Sequence, residues 1–271
     1  MTAPRFLTFS TLDDLAFAAE KGRLDRLPSG LSIVAADLGP IIEFEQLGAA
    51  GLLPAPEKAP WLALDGISSL YSALKSGRER WVCPTLRNQG FFRTGVVPLR
   101  DEVPWTGFGL AAQQAAVAAG FPNRLAAQLV GAIGEMHSNI YEHSGASETG
   151  MVAFKARPGV FEFVLADRGM GVLESLRSAS EYASLTDHGE ALRLTLTDGV
   201  SRYGAGSNRG RGFRPLFIGL ANLSGSLRFR SGDHALTIDG QTPSLVTAQT
   251  AQKPYLPGLL ASVSCRFTSA G

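Results

Sequence analysis

Apolar and polar positions change period along the chain, and the changes mark out elements. "LAAQQAAVAAG" (110–120) has helical spacing and stops on a glycine. "FPNRLAAQLVGAIGEMHSNIYEHS" (121–144) follows as a long helix starting near Pro122. The period then drops to two: "GMVAFKAR" (150–157) and "GVFEFVLADRG" (159–169) alternate like hairpin strands around a Pro-Gly turn. "DHGEALRLTLTDG" (187–199) reads as helical, "GSNRGRG" (206–212) as a loop and "FRPLFIGLANLSG" (213–225) as a helix. "SLRFRSG" (226–232), "HALTIDG" (234–240) and "LLASVSCRF" (259–267) read as strands.

The first hundred residues are less regular. "LDDLAFAAEKGRLDRL" (12–27) has helical spacing, and "GLSIVAADLG" (30–39) is a buried strand between glycines. "GLLPAPEKAPWL" (51–62) is a proline-rich loop, and "GISSLYSALKSGRERWVCP" (66–84) is a short helix followed by a strand. "DEVPWTGFG" (101–109) sets Pro and Gly around a charge pair and predicts a boundary. The expected division is an N-terminal α/β region over 1–105 and a second domain over 110–271. Internal repeats and low-complexity tails are absent.

Composition narrows the class. The 271 residues are 45% hydrophobic, enough for a substantial core. With 25 Lys+Arg against 24 Asp+Glu, the charge balance argues against a protein built to coat nucleic acid or an acidic membrane. Cys83 and Cys265 form no CxxC, which fits a reducing compartment. The N-terminus lacks the basic-then-apolar signature of a signal peptide, and no apolar run reaches the roughly 18 residues of a membrane span. A cytoplasmic location is therefore expected.

Three stretches carry candidate chemistry. In the long helix Glu135, Asn139 and His143 recur every fourth residue, drifting only about 40° per step, so they share one side. A solvated polar stripe would look the same. In "FVLADRGMGV" (163–172) an apolar strand runs into Asp167, followed by Gly169 and Gly171. A carboxylate at the end of a buried strand needs hydrogen-bond donors, such as the exocyclic amine of a purine. Glycines beside it let backbone approach a flat ring or a phosphate. A plain strand-to-turn DRG is the simpler alternative. In "GAGSNRGRGF" (204–213) glycines alternate with Arg209 and Arg211 before a predicted helix, an arrangement suited to phosphate. A flexible loop is the alternative there. The stretch is neither a Walker A loop nor a dinucleotide fingerprint. His137 and His143 lie about 240° apart around a helix and HExxH is absent, so a zinc site fails.

In their order, the three stretches resemble the GHKL ATPase superfamily of gyrase-type, chaperone, histidine-kinase and MutL-like nucleotide-binding domains. Glu135–Asn139 looks like the N box, Asp167-Arg-Gly169-Met-Gly171 like the first glycine box, and Gly210-Arg-Gly212-Phe213 like the second. The resemblance covers roughly 110–271. It implies an α/β fold: a C-terminal Bergerat α/β sandwich with helices over one face of a mixed sheet, beside a smaller N-terminal α/β region. It also implies ATP and Mg²⁺ as cofactors. Asn139 would ligate Mg²⁺, Asp167 would hold the adenine amine, and Gly169 and Gly171 would line the base pocket. Gly210 and Gly212 would cradle phosphate. Residues 172–209 would form the lid, with Arg202, Arg209 and Arg211 as phosphate contacts. Glu135 would orient or activate the attacking group, and His143 would fix the end of the N-box helix. Two departures stand out: Glu142 occupies a common lysine position before the histidine, and Gly258 is followed by Leu259 where relatives often carry threonine.

All four histidines, His137, His143, His188 and His234, fall inside the ATPase-like region. None precedes it on a dimerisation helix, so the pattern is most similar to bacterial anti-sigma serine kinase-like ATPases. The region 1–105 weakly resembles their STAS-like partners, with "LSIVAADLG" as a core strand and "LRNQGFFRTGVVPLRD" (86–101) as a helix-to-strand element. The resemblance implies a Mg²⁺-dependent ATPase or serine/threonine protein kinase acting on a regulatory protein partner, with homodimerisation possible. The alternative is a nucleotide-controlled interaction module with little turnover. A hydrolase using Glu135 and Asp167 as paired carboxylates leaves the glycine loops without a role.

Overall fold

The computed structural model describes residues 5–26, 30–95, 102–196, 225–238 and 248–267. The protein is α/β, with two sheets. The smaller is parallel, in the order β1 (Arg5–Phe6), β2 (Ile33–Ala35), β3 (Leu62–Leu64). Helices α1 (Phe9–Glu20) and α2 (Leu38–Ala49) connect and cover it, and α3 (Ser68–Lys75) follows. The larger sheet contains β4 (Arg80–Val82), β5 (Gln89–Arg93), β6 (Met151–Arg157), β7 (Val160–Asp167), β8 (Ser226–Ile238) and β9 (Gln249–Arg266). Its order is β4-β5-β6-β7-β9-β8, and every pairing is antiparallel. Among the described residues it is therefore antiparallel throughout, where a mixed sheet is expected for the C-terminal part, and parallel pairs are confined to the small sheet. It also draws strands from both sides of the expected boundary near residue 105.

The helices cover both faces of the large sheet rather than one. On β7, Phe161, Phe163 and Leu165 face one core, while Val164 and Ala166 face the other, as strand alternation requires. The first core is shared with α4 (Val103–Ala118), α5 (Asn123–His143), α6 (Gly171–Arg177) and α7 (His188–Leu194). The second is shared with α1, α2, α3 and the small sheet. Because both faces are covered, all eight residues of β7 are buried.

Local chemistry explains where elements start and stop. Pro122 caps α5 at the predicted place. The β6–β7 hairpin turns on Pro158 and Gly159, whose φ of +72° suits glycine. The stretch 101–109 behaves differently from its predicted role as a boundary. From Val103 it is already the first turns of α4, because a proline in the first turn lacks only an N–H that would be unpaired there. The two predicted strands 226–232 and 234–240 form one strand, β8, interrupted by a bulge around Gly232. Its partner β9 begins well before the predicted 259 and runs through Pro254 and Pro257. The predicted helix 213–225 lies outside the described residues.

A buried charge cluster joins the N-terminal helices to the large sheet. Arg228 and Arg230 alternate with Phe229 on β8 and so point away from the first core. Arg228 donates to both Glu43 oxygens at 2.8 Å and to Asp13 Oδ1 at 2.5 Å. Arg230 Nε lies 2.9 Å from Glu43 Oε1, an ion pair off the N–H line, while its Nη2 donates to the Pro254 carbonyl. Lys253 Nζ reaches Asp13 at 2.7 Å. Glu43 and Arg230 have no solvent exposure. Removing one partner strands buried charge, so Glu43→Ala should cost about 3–5 kcal/mol in urea unfolding. Replacing Glu43, Arg228 and Arg230 together by methionine should cost far less, because no charge in that set is then left unpaired.

Candidate functional site

Asp167 is the last residue of β7, and three separate chain segments meet it. Its Oδ1 accepts from Gly169 N–H at 2.9 Å, and the Leu259 amide of β9 also donates to the carboxylate. Leu259 is directly opposite Asp167 in the β7–β9 register. Its backbone amide thus lies beside the aspartate. From α2, Gln46 Nε2 donates to the Asp167 carbonyl at 2.9 Å. Asp167 is 2% exposed, and burial pushes its pKa up to about 6 against the pull of the two amides.

The glycines around it are fixed by close approach. A Cβ on Gly169 would overlap the carbonyl oxygen of Ser144, the residue capping α5. That same carbonyl accepts from Met170 N–H at 2.8 Å. Gly258 has φ +78°, and a Cβ there would overlap the Asp167 carbonyl oxygen. Gly171, at φ +76°, opens α6. Ser231 Oγ accepts from Val172 N–H at 2.9 Å and donates to the Gly258 carbonyl at 2.8 Å. The DxGxG segment is therefore pinned between the end of α5, Gly258 within β9 and the β8 bulge.

Helix α5 presents two flanks. On one, His137 stacks on Trp105 of α4, with ring centroids 3.8 Å apart and planes at 11°. Burial lowers the His137 pKa to about 4, so the ring is neutral near pH 7. The opposite flank carries Glu135, Asn139 and His143, as about 100° per residue requires. His143 Nδ1 lies 3.4 Å from Ser175 Oγ, so this row turns toward α6. Glu135 is exposed and Asn139 half-buried. The structure thus brings the C-terminal end of α5, at His143 and Ser144, against the segment that follows Asp167, with Asn139 and Glu135 about one and two turns back along the same flank. Arg202, Arg209, Gly210, Arg211, Gly212 and Phe213 lie outside the described residues.

Among the described residues only backbone amides meet this buried carboxylate, an arrangement that suits the neutral amine of a purine. Among the described residues no group of three or more His, Cys, Asp or Glu could hold a metal ion. A single Asn139 amide still matches magnesium, which takes few protein ligands and completes its shell with phosphate and water. Among the described helices none is long and apolar enough to cross a membrane. Comparison with family models, curated proteins and solved structures finds no significant match.

Gln46 and Ser231 carried no sequence signal as site residues. Gln46 lies 121 positions before the aspartate it holds, and only its polarity within "PIIEFEQLG" sets it apart.

The Asp167 pKa has a stability consequence. Its folded value, about 6, is above the unfolded value of 3.8. Between these the folded state holds the extra proton, so stability falls as pH rises through the window and the cost is complete above it. Asp167→Asn should therefore stabilise the ligand-free protein by about 1–2 kcal/mol at pH 7.5. The gain should shrink toward zero near pH 4. Comparing the urea midpoints of variant and wild type at both pH values checks this. It also cancels Glu162, whose pKa burial raises to about 7 in both proteins.

Proposed function

We propose that the protein binds ATP with Mg²⁺ at the Asp167 end of the large sheet and uses it in a regulatory ATPase or serine/threonine kinase reaction of GHKL type. The observation that carries this reading is Asp167 itself: a buried carboxylate that, among the described residues, is met by backbone amides and by no cationic group. Asp167 would accept a hydrogen bond from the adenine amine, while Gly169 and Gly171 let the segment after it pack against Ser144, Ser231 and Gly258 and so hold the aspartate in place. Asn139 would hold the metal, whose charge would offset that of the phosphates. Glu135, exposed on the same flank of α5, would orient the attacking hydroxyl or water. Arg209 and Arg211, with Gly210, Gly212 and Phe213, would complete the phosphate side.

A second reading, the nucleotide-controlled interaction module, draws support from Gln46. Its hydrogen bond ties α2 to the backbone of Asp167, so a ligand there would be felt in the N-terminal layer, where a protein partner could read it.

Calorimetric titration of ATP with and without Mg²⁺ tests the binding. Asp167→Asn should weaken it about 10–100-fold, the loss of one hydrogen bond to a charged group, while leaving the fold at least as stable. If wild type binds no nucleotide at millimolar concentration, the reading fails. Glu135→Ala should keep ATP affinity and lower turnover about 100-fold or more if the protein is an enzyme. Unchanged or absent turnover in both would favour the interaction module.

A further inference from the structure

Helix α4 has an outer face unlike that of an ordinary surface helix. Its 16 residues, VPWTGFGLAAQQAAVA, contain no charge. Trp105, Phe108, Ala111, Ala112, Ala115 and Ala116 fill the inner face. Outward point Val103, Leu110 and Val117, which are 73%, 55% and 42% exposed. They are spaced by seven, so they lie within about 40° of one another and form one stripe along the helix. Beside it runs a groove of about 410 Å³ lined by Leu110, Gln113, Gln114, Val117, Ala118 and Asn123. An exposed apolar stripe bordered by uncharged polar side chains marks a protein contact.

The pattern is symmetric about Leu110, and this symmetry selects the partner. We infer that α4 is a homodimer interface, with the α4 helices of two copies packed antiparallel about a two-fold axis through Leu110. Under that operation Leu110 meets its own copy and Val103 meets Val117. Thr106 meets Gln114, and Gly107 meets Gln113. Each glutamine thus faces a smaller residue, and each apolar side chain faces another. Self-complementarity of this kind is what an isologous interface requires. Small residues at the crossing allow close approach of the helices, and the absence of charge avoids like-charge repulsion between identical faces. The inference is independent of nucleotide binding.

Sedimentation of the full chain across micromolar to hundred-micromolar concentrations tests it. Wild type should approach twice the chain mass. Leu110→Glu and Leu110→Lys should each sediment as monomers with unchanged circular dichroism, because Leu110 is exposed. Mixing the two should restore a dimer, since opposite charges would face each other across the axis. Leu110→Cys should cross-link to itself on oxidation, whereas Val103→Cys should cross-link to Val117→Cys and not to itself. The native Cys83 and Cys265 are buried and should not compete. A monomeric wild type would overturn the proposal. So would a dimer that survives Leu110→Glu, or a Glu/Lys mixture that stays monomeric. Slow amide exchange along 103–118 in a monomer would assign the face to an intramolecular contact and likewise refute it.

Discussion

Glu43 sits between Arg228 and Arg230 with no access to water, and the relation of the two halves of the molecule rests on that arrangement. A charge cluster of this kind gains little stability over a well-packed apolar one, because desolvation offsets most of the attraction. What it can set is position. Two arginines two residues apart on β8 point to the same face, and a shift of β8 by one residue would turn both into the phenylalanine-rich core. The cluster thus favours one register of β8 and one placement of α2. The placement of α2 in turn brings Gln46 to the end of β7.

The site region shows a different tension. Asp167 is held by the amides of Gly169 and Leu259, yet burial still lifts its pKa. A structure selected for stability alone would not keep a carboxylate there, since an amide could make similar contacts without the desolvation penalty. Such residues are common at functional sites, where the group is matched to something absent from the free protein. The surrounding glycines answer to packing instead: Gly169 and Gly258 allow backbone to approach backbone so closely that a side chain would not fit.

The sequence made some of this legible and left the rest hidden. Helix α5 and the β6–β7 hairpin could be read because their packing is local and their apolar periods are regular. Asp167, Gly169 and Gly171 stood out because a charge followed by two glycines interrupts an apolar strand. Helix α2 left no such trace: it opens on Gly39 and Pro40, and its buried Glu43 and Gln46 break the apolar period. Their partners lie more than a hundred residues away. The start of α4 was disguised by Pro104, Gly107 and Gly109, which read as loop residues until tertiary packing supplies a reason to be helical. The first half of β9 was hidden by Pro254 and Pro257. The coverage of both sheet faces also depends on where distant segments pack, which no local pattern records.

The strand order has a consequence for how the protein is made. Strand β9 lies between β7 and β8 in the sheet, although it follows both in the chain. During synthesis β7 therefore emerges with one edge open, and it stays open until residues 249–266 have left the ribosome. At about 5–20 residues per second, that interval is on the order of ten seconds. Throughout it Asp167 lacks the Leu259 amide, and β8 lacks its partner in the ladder. A nascent chain in that state exposes an unpaired, largely apolar strand edge, the feature most prone to pairing with another chain. Among the described strands, the one made after all the others is thus the one that closes the sheet.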